Sequence, residues 1–270
     1  MKLGLGLGIN KGGYVKSSPQ YFAMTIDTTK AGVSNNDQFQ FTGAAGQYDV
    51  DVVQNDVIVQ SYTGLIDEQT ITLPAAGLYQ VRVYAKGSNP FNKIDFGNAG
   101  NPSDKLKVKS IDNFGIIKWN SNLKDGFNGC KNNSNLPNDI EFINQIINGE
   151  ALFNVNDITI VPENLTFPNL QNGFALFRNT LIDSLPRNMK LPNLTKGDRM
   201  FENVTINTDD YSSLIIKMET ANGNTGVIFD AGTSKYDSNF SIAEYTKTAG
   251  QARADLINNQ GWTFKDSGQI

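Results

Sequence analysis

The chain has 270 residues, 39% of them hydrophobic, and a net charge of only −4. It can therefore build a substantial core, and it lacks the clustered cations that nucleic-acid binding requires, so no nucleic-acid partner is expected. The absence of histidine and the presence of a single cysteine exclude Ser-His-Asp and Cys-His nucleophilic sites, the usual histidine-bearing metal sites and an intrachain disulfide. We expect that cysteine, Cys130, to be a small buried residue.

Residues 1–18 are expected to form an N-terminal docking arm. Leu3, Leu5, Leu7 and Ile9 alternate with glycines, which predicts a strand with every side chain on one face. A lone strand of this kind needs a partner, so we expect these four residues to dock on a neighbouring sheet by strand addition. Packing within its own domain is the open alternative. The apolar stretch is too short to span a membrane and no small-residue cleavage site follows it, so we interpret the arm as retained.

Residues 19–88 are predicted to form an Ig-like β-sandwich, because short strand signals recur at close spacing with turn residues between them. The stretch Gly77–Val83 resembles the closing strand of polycystic-kidney-disease-type Ig-like domains, a resemblance that implies a spacer or binding module. The predicted strands are Tyr21–Ile26, Gln38–Thr42, Tyr48–Val53, Val57–Tyr62, Thr70–Leu73 and Tyr79–Ala85.

Residues 89–209 contain an internal repeat. Phe127, Phe153, Phe177 and Phe201 follow one another at spacings of 26, 24 and 24 residues. A period of 24 lies in the range of leucine-rich repeats, whose units cannot bury their own apolar faces and must stack. We therefore predict a short solenoid in which these four phenylalanines line up in a common interior column.

Within each unit we predict a short strand after the phenylalanine, at Ile158–Val161 and Leu181–Leu185. A helical turn should then open near the next asparagine, because Leu170, Phe174 and Phe177 have the i, i+4, i+7 spacing of one apolar helix face.

Residues 210–270 are predicted to form a C-terminal cap with a polar outer face. Asp209 and Asp210 suit the start of a helix, since acidic residues favour helix N-termini. Gln251–Asn258 has a short helical pattern, and Trp262 and Phe264 then lie on one side of a strand.

Three stretches together resemble the BspA-like leucine-rich repeat surface proteins of Bacteroidetes and their phages: Lys105–Cys130, the repeat end Arg199–Asn203, and Tyr211–Gly268. The resemblance implies adhesion or display and a closing cap, and it implies no catalytic residues or cofactor. Only three or four repeats are present and no secretion signal is recognisable, which favours a virion protein over a bacterial cell-surface adhesin.

The expected function is therefore that of a non-enzymatic phage virion protein, a head fibre, decoration protein or tail-associated fibre, with no cofactor. Its arm would contact other virion proteins, and its repeat surface would attach to a host glycan or protein; a secreted adhesin is the alternative, and self-association is left open. Paired carboxylates such as Asp49 and Asp51 are expected to be solvated. The aromatics Tyr48, Tyr62, Tyr236 and Tyr245 could stack on sugars, with core or cap packing as the default.

Overall fold

The computed structural model describes residues 19–97, 102–139, 141–163 and 165–270. Over these ranges the fold is mainly β, with two short α-helices. The arm residues Leu3, Leu5, Leu7 and Ile9 lie outside the described residues. None of the helices in the described ranges is long and apolar enough to cross a membrane.

All six strands predicted in the first part of the chain are confirmed, with ends shifted by a few residues at most. Most have the alternation of apolar and polar residues typical of half-buried strands, whereas the fourth begins with the exposed apolar run Val57–Val59. Between the third and fourth strands, Asn55 and Asp56 both have positive φ (50° and 63°), as a two-residue hairpin turn demands. The strands are β1 (Phe22–Asp27), β2 (Gln38–Gln40), β3 (Gln47–Gln54), β4 (Val57–Ile66), β5 (Thr70–Thr72) and β6 (Leu78–Lys86).

A seventh strand, β7 (Val108–Asn113), completes a five-stranded antiparallel sheet with the order β4-β3-β6-β1-β7. β2 and β5 form a separate antiparallel pair, and the Phe41 ring of the adjoining segment packs edge-on against Tyr48 of the larger sheet. Because β7 pairs with β1, the sheet continues past residue 88, where the sequence placed the end of this unit. Strand pairing across many residues leaves no local signal, which is why the boundary could not be found by pattern alone.

The four repeat phenylalanines form one column of stacked rings in the interior. Ring centroids are 6.0 Å apart for Phe127 and Phe153, 5.6 Å for Phe153 and Phe177, and 5.7 Å for Phe177 and Phe201, with interplanar angles of 9°, 13° and 16°. Each ring is at most 1% exposed. Offset stacking at this spacing is favourable for aromatic rings, so each unit covers the apolar side of its neighbour.

The backbone of each unit is hydrogen-bonded to the next unit as a parallel ladder. Ala151 N–H donates to the carbonyl of Phe174 at 2.8 Å, and Phe153 N–H donates to that of Leu176 at 3.0 Å. The same two bonds recur in the units before and after. Alternate amides therefore find partners one unit along the chain, which satisfies backbone groups that would otherwise be buried without a bond.

The predicted helical turn at the end of each unit is wrong. Residues two before and two after every column phenylalanine have left-handed backbone, a conformation that cannot continue an α-helix. Phe174 and Phe177 consequently lie in turns and Leu170 lies in irregular backbone. Phe174 is half-buried where its neighbours are buried. The left-handed residues are Asp125, Ala151, Ala175 and Arg199 before the rings, and Gly129, Val155, Asn179 and Asn203 after them.

The strands predicted at Ile158–Val161 and Leu181–Leu185 are also absent. Only an isolated parallel bridge, between Asn135 and Ile160, forms there. Each segment is followed directly by a proline, Pro162 or Pro186. A proline has no N–H to donate, so a strand pairing cannot continue through it. Single inter-unit bonds do form there, such as the one from Leu181 N–H to the Ile158 carbonyl at 3.0 Å, but the ladder with alternate amides bonded runs through the segments around the phenylalanines.

The last part of the chain contains α1 (Thr208–Ala221), β8 (Ile228–Asp230), α2 (Ala249–Gln260) and β9 (Thr263–Lys265). Both helices were predicted and are confirmed. Asn207 caps α1 by accepting a bond from Asp210 N–H, and a capping box of Thr248 and Gln251 begins α2. β8 and β9 are parallel, as a strand-helix-strand connection requires.

β8 also continues the repeat ladder. Phe201 N–H donates to the Asp230 carbonyl at 3.0 Å, and the Phe229 ring lies 6.2 Å from the Phe201 ring. At the other end of the column, Phe22 of β1 lies 6.1 Å from Phe127. One aromatic core thus connects the first strand of the sheet to the C-terminal unit.

Candidate binding surfaces

The residues around the column are occupied with holding consecutive units together. Asn154 donates to the side-chain oxygen of Asn128 at 3.0 Å, one unit earlier. Arg178 pairs with Glu202, Nε to Oε2 at 2.6 Å, one unit later. The column phenylalanines and these pairs can therefore support a binding surface, but the buried rings cannot touch a partner themselves.

The candidate residues taken from the first part of the sequence are used within the fold. Asp49 accepts a bond from Gly64 N–H at 2.9 Å, and Asp51 accepts one from Ser61 Oγ at 2.7 Å. Tyr48 is fully buried, and its hydroxyl donates to the Asp67 carbonyl at 2.8 Å. Burial raises the pKa of Tyr48 above its usual range. All three groups thus form hydrogen bonds within the fold.

Cys130 is fully buried, as predicted. Burial raises the pKa of its thiol far above the usual range, so the thiolate that would attack an electrophile is not formed near neutral pH. In the part of the chain that the structure describes, no group of three or more acidic or cysteine side chains is arranged to hold a metal ion.

A cleft of about 930 Å³ lies beside α1. Three segments form its walls: one face of α1 with the residues just before it, the loop at 187–190 and the loop at 240–245. We call it the α1 cleft. Its lining consists of Arg187, Asn188, Lys190, Asn207, Asp209, Asp210, Ser213, Lys217, Phe240, Ser241, Ile242, Ala243, Glu244 and Tyr245.

Helical periodicity places Asp210, Ser213 and Lys217 on successive turns of the α1 face that lines the cleft. Asp210 is fixed by its Oδ2, which accepts bonds from Leu185 N–H at 2.8 Å and from the Asn207 amide at 2.6 Å. That wall of the cleft is therefore held rigidly by the cap of α1.

The opposite wall is held by an ion-pair bridge. Lys247 Nζ lies 2.7 Å from Glu219 Oε1 on α1 and 2.7 Å from Asp255 Oδ2 on α2. The loop that precedes it carries Phe240 and Tyr245, which are half-buried and pack against the core. Tyr245 is thus the one aromatic of the predicted sugar-stacking set that lines this cleft.

Lys217 is the unusual residue of the cleft. It is only 8% exposed, and its ammonium has no hydrogen bond or ion pair with any residue in the described ranges. Burial lowers its pKa, and the nearby Lys190 lowers it further, while Asp210 and Glu244 act in the opposite direction. The ammonium nevertheless remains the natural partner of an anionic group that comes into the cleft.

Lys217, Arg187 and Lys190 are not among the residues that the sequence pattern indicates. One signal was present: Lys217 interrupts the apolar run Leu214–Met218 in a predicted helix, so a charge falls next to the buried face. Nothing local indicates that Arg187 and Lys190, about 30 residues earlier, line the same cavity.

Comparison with known proteins assigns no relative: no protein-family model, no curated protein and no solved structure matches this chain.

Proposed function

We propose that the chain is a non-enzymatic display protein of a phage virion, anchored by its N-terminal arm and presenting its C-terminal half for attachment to a host glycan or protein. The finer architecture belongs to the same proposal. Residues 19–88, extended by β7, would form the Ig-like spacer; the phenylalanine units would form a short solenoid of leucine-rich type; and the segment from α1 onward would close it.

The observation that carries the proposal is the continuous aromatic core. Phe22, the first residue of β1, contacts the first column ring, and Phe229 contacts the last. The stacked column joins β1, the first strand in the described residues, to the unit that carries the α1 cleft. Such a connection suits a rigid spacer that holds a binding surface away from its anchor.

The choice of anchor is supported by the pattern of Leu3, Leu5, Leu7 and Ile9, an apolar strand face that needs a partner sheet. The test is a full-length variant with these four residues replaced by serine, produced during particle assembly. We expect the variant to fold normally and to be missing from purified particles, as judged by immunoblotting.

A matched control replaces the polar arm residues Lys2, Asn10 and Lys11 with serine, and this variant should still join the particle. If the variant that lacks the four apolar side chains assembles at the normal level, the arm is not the anchor. The alternative of a secreted adhesin predicts that antibody labelling marks the surface of producing cells and leaves released particles unlabelled.

A further inference from the structure

We propose that the α1 cleft binds a saccharide that carries a carboxylate, and that the Lys217 ammonium pairs with that carboxylate. The inference rests on the proposed function, because it names the class of host molecule that the display protein would attach to. It is carried by the state of Lys217, the charges around it and the other groups that line the cleft.

A buried ammonium without a partner opposes folding, because its loss of hydration is not compensated. Lys107, another buried lysine of this protein, has contacts that compensate its ammonium for the lost hydration. The Lys107 ammonium, fully buried, donates to the carbonyls of Ser34, Asn35 and Gln38 at 2.9–3.0 Å and lies 3.6 Å from Asp104 Oδ1. Lys217 has none of these contacts although the residue is 92% buried, so its ammonium is available to pair with a ligand group in the cleft.

The surrounding charges favour an anion at this position. Arg187 and Lys190 are exposed at the rim of the cleft, and neither forms an ion pair with the residues that the structure describes. Asp210 is bound to Leu185 N–H and to Asn207, so it is held in the wall. An incoming carboxylate would therefore meet three cations, one deep and two at the rim.

Two further carboxylates, those of Asp209 and Glu244, line the exposed part of the cleft. They would repel a bare anion at the rim, yet they are good acceptors for hydroxyl groups. A ligand with one carboxylate and several hydroxyls satisfies both sets of charges, whereas an inorganic anion satisfies only the cations.

The rest of the lining suits a sugar. Phe240 and Tyr245 are half-buried and expose part of their rings, which can cover the apolar face of a pyranose. Ser213, Ser241 and Asn188 supply neutral donors and acceptors for hydroxyls. A volume of about 930 Å³ lies at the upper end of the range for organic ligand sites and accommodates several linked rings.

The test is calorimetric titration of the full chain with two matched pairs of sugars: an oligogalacturonate and its carboxyl-reduced form, and sialyllactose and lactose. We expect an acidic member to bind at least 10-fold more tightly than its neutral counterpart. Lys217→Met should weaken that binding at least 10-fold, and the control Lys235→Met, at an exposed lysine outside the cleft, should leave it unchanged.

A double variant at the exposed rim, Arg187→Gln with Lys190→Gln, should also weaken binding without disturbing the fold. The proposal is overturned if neither acidic sugar binds better than its neutral form, if Lys217→Met binds as tightly as the natural chain, or if acetate or phosphate alone binds as tightly as the sugar. Particle association plays no part in this titration, so its failure is distinguishable from failure of the arm-anchoring experiment.

Discussion

At the scale of single residues, the two buried lysines show how environment decides what a charge does. Lys107 is fully buried and fully bonded, and its contacts fix the loop at 34–38 against β7 and the turn before it. Lys217 is nearly as buried but has no such contacts. The contacts of Lys107 are made within the fold, whereas we expect Lys217 to oppose folding and to find its partner in a bound ligand.

Methionine substitution tests this difference, because it keeps the packed stem and removes the charge. Lys107→Met should lower the free energy of unfolding by about 3 kcal/mol, since it leaves the Asp104 carboxylate buried without its cation. Lys217→Met should raise it by about 1 kcal/mol at pH 7, because the penalty of burying the ammonium disappears. Urea denaturation of both variants measures the two effects.

The gain from Lys217→Met should also depend on pH. Burial holds the pKa of Lys217 in the folded state below its ordinary value of 10.5. Between those two values the unfolded chain binds more protons, so the natural protein gains stability as the pH rises. The advantage of the variant should therefore shrink as the pH approaches 10.5; a variant less stable than the natural chain at pH 7 would contradict the interpretation.

At the scale of the structural element, the repeat unit depends on residues in left-handed backbone. The position two residues after each ring is occupied by Gly129, Val155, Asn179 and Asn203 in the four units. Glycine and asparagine adopt this conformation readily, but a β-branched residue is strained in it. The second unit therefore carries strain that the other three avoid.

Val155→Asn should relieve that strain and raise the free energy of unfolding by about 1 kcal/mol, measured by chemical denaturation. The reciprocal change, Asn179→Val, is the control and should lower it by more than that amount. It introduces the same strain and also removes the acceptor for the Asn203 amide, 2.8 Å away. If both substitutions changed the free energy of unfolding equally and in the same direction, left-handed backbone strain would not determine stability at these positions.

At the scale of the whole molecule, the aromatic column couples the two ends of the chain. Trp119 contacts Phe22 and Phe114 at the sheet end, and Trp262 lies 6.0 Å from Phe264 at the other. Both tryptophans are at most 3% exposed, so each reports on local unfolding of its own end. Neighbouring units stabilise one another, so a destabilising substitution at the centre of the column should lower the unfolding midpoint at both ends.

Phe177→Ala should lower the free energy of unfolding by about 4 kcal/mol, because it opens a cavity between two stacked rings. Fluorescence of single-tryptophan variants, Trp119→Phe and Trp262→Phe, should show the same shift in the unfolding midpoint at both ends. As a control, Phe174→Ala, at a half-buried ring that Lys196 covers from 4.5 Å, should cost less than about 2 kcal/mol. Separate transitions at the two tryptophans would mean that the column does not couple them.

Local pattern was sufficient for the features whose causes are local. Short strand signals bounded by turn residues predicted the six strands of the first part. The acidic pair Asp209 and Asp210 predicted the start of α1, and a short helical pattern predicted α2. The 24-residue spacing of Phe153, Phe177 and Phe201 is also visible in the sequence, because every unit has a ring at the same position that stacks on the next ring.

Features whose partners are distant in sequence were decided by the tertiary structure. The amides around Phe153 and Phe177 bond to carbonyls 23 residues further on, and those around Phe127 to carbonyls 25 residues further on. The segments therefore adopt turns and left-handed residues where local spacing favoured a helix. β7 joins a sheet whose neighbouring strand is more than 80 residues earlier. The α1 cleft brings residues of three separate segments around Lys217. Periodicity indicates which face of a segment is buried. Whether the buried Lys217 ammonium has a partner depends on residues of other segments, which only the tertiary structure brings near it.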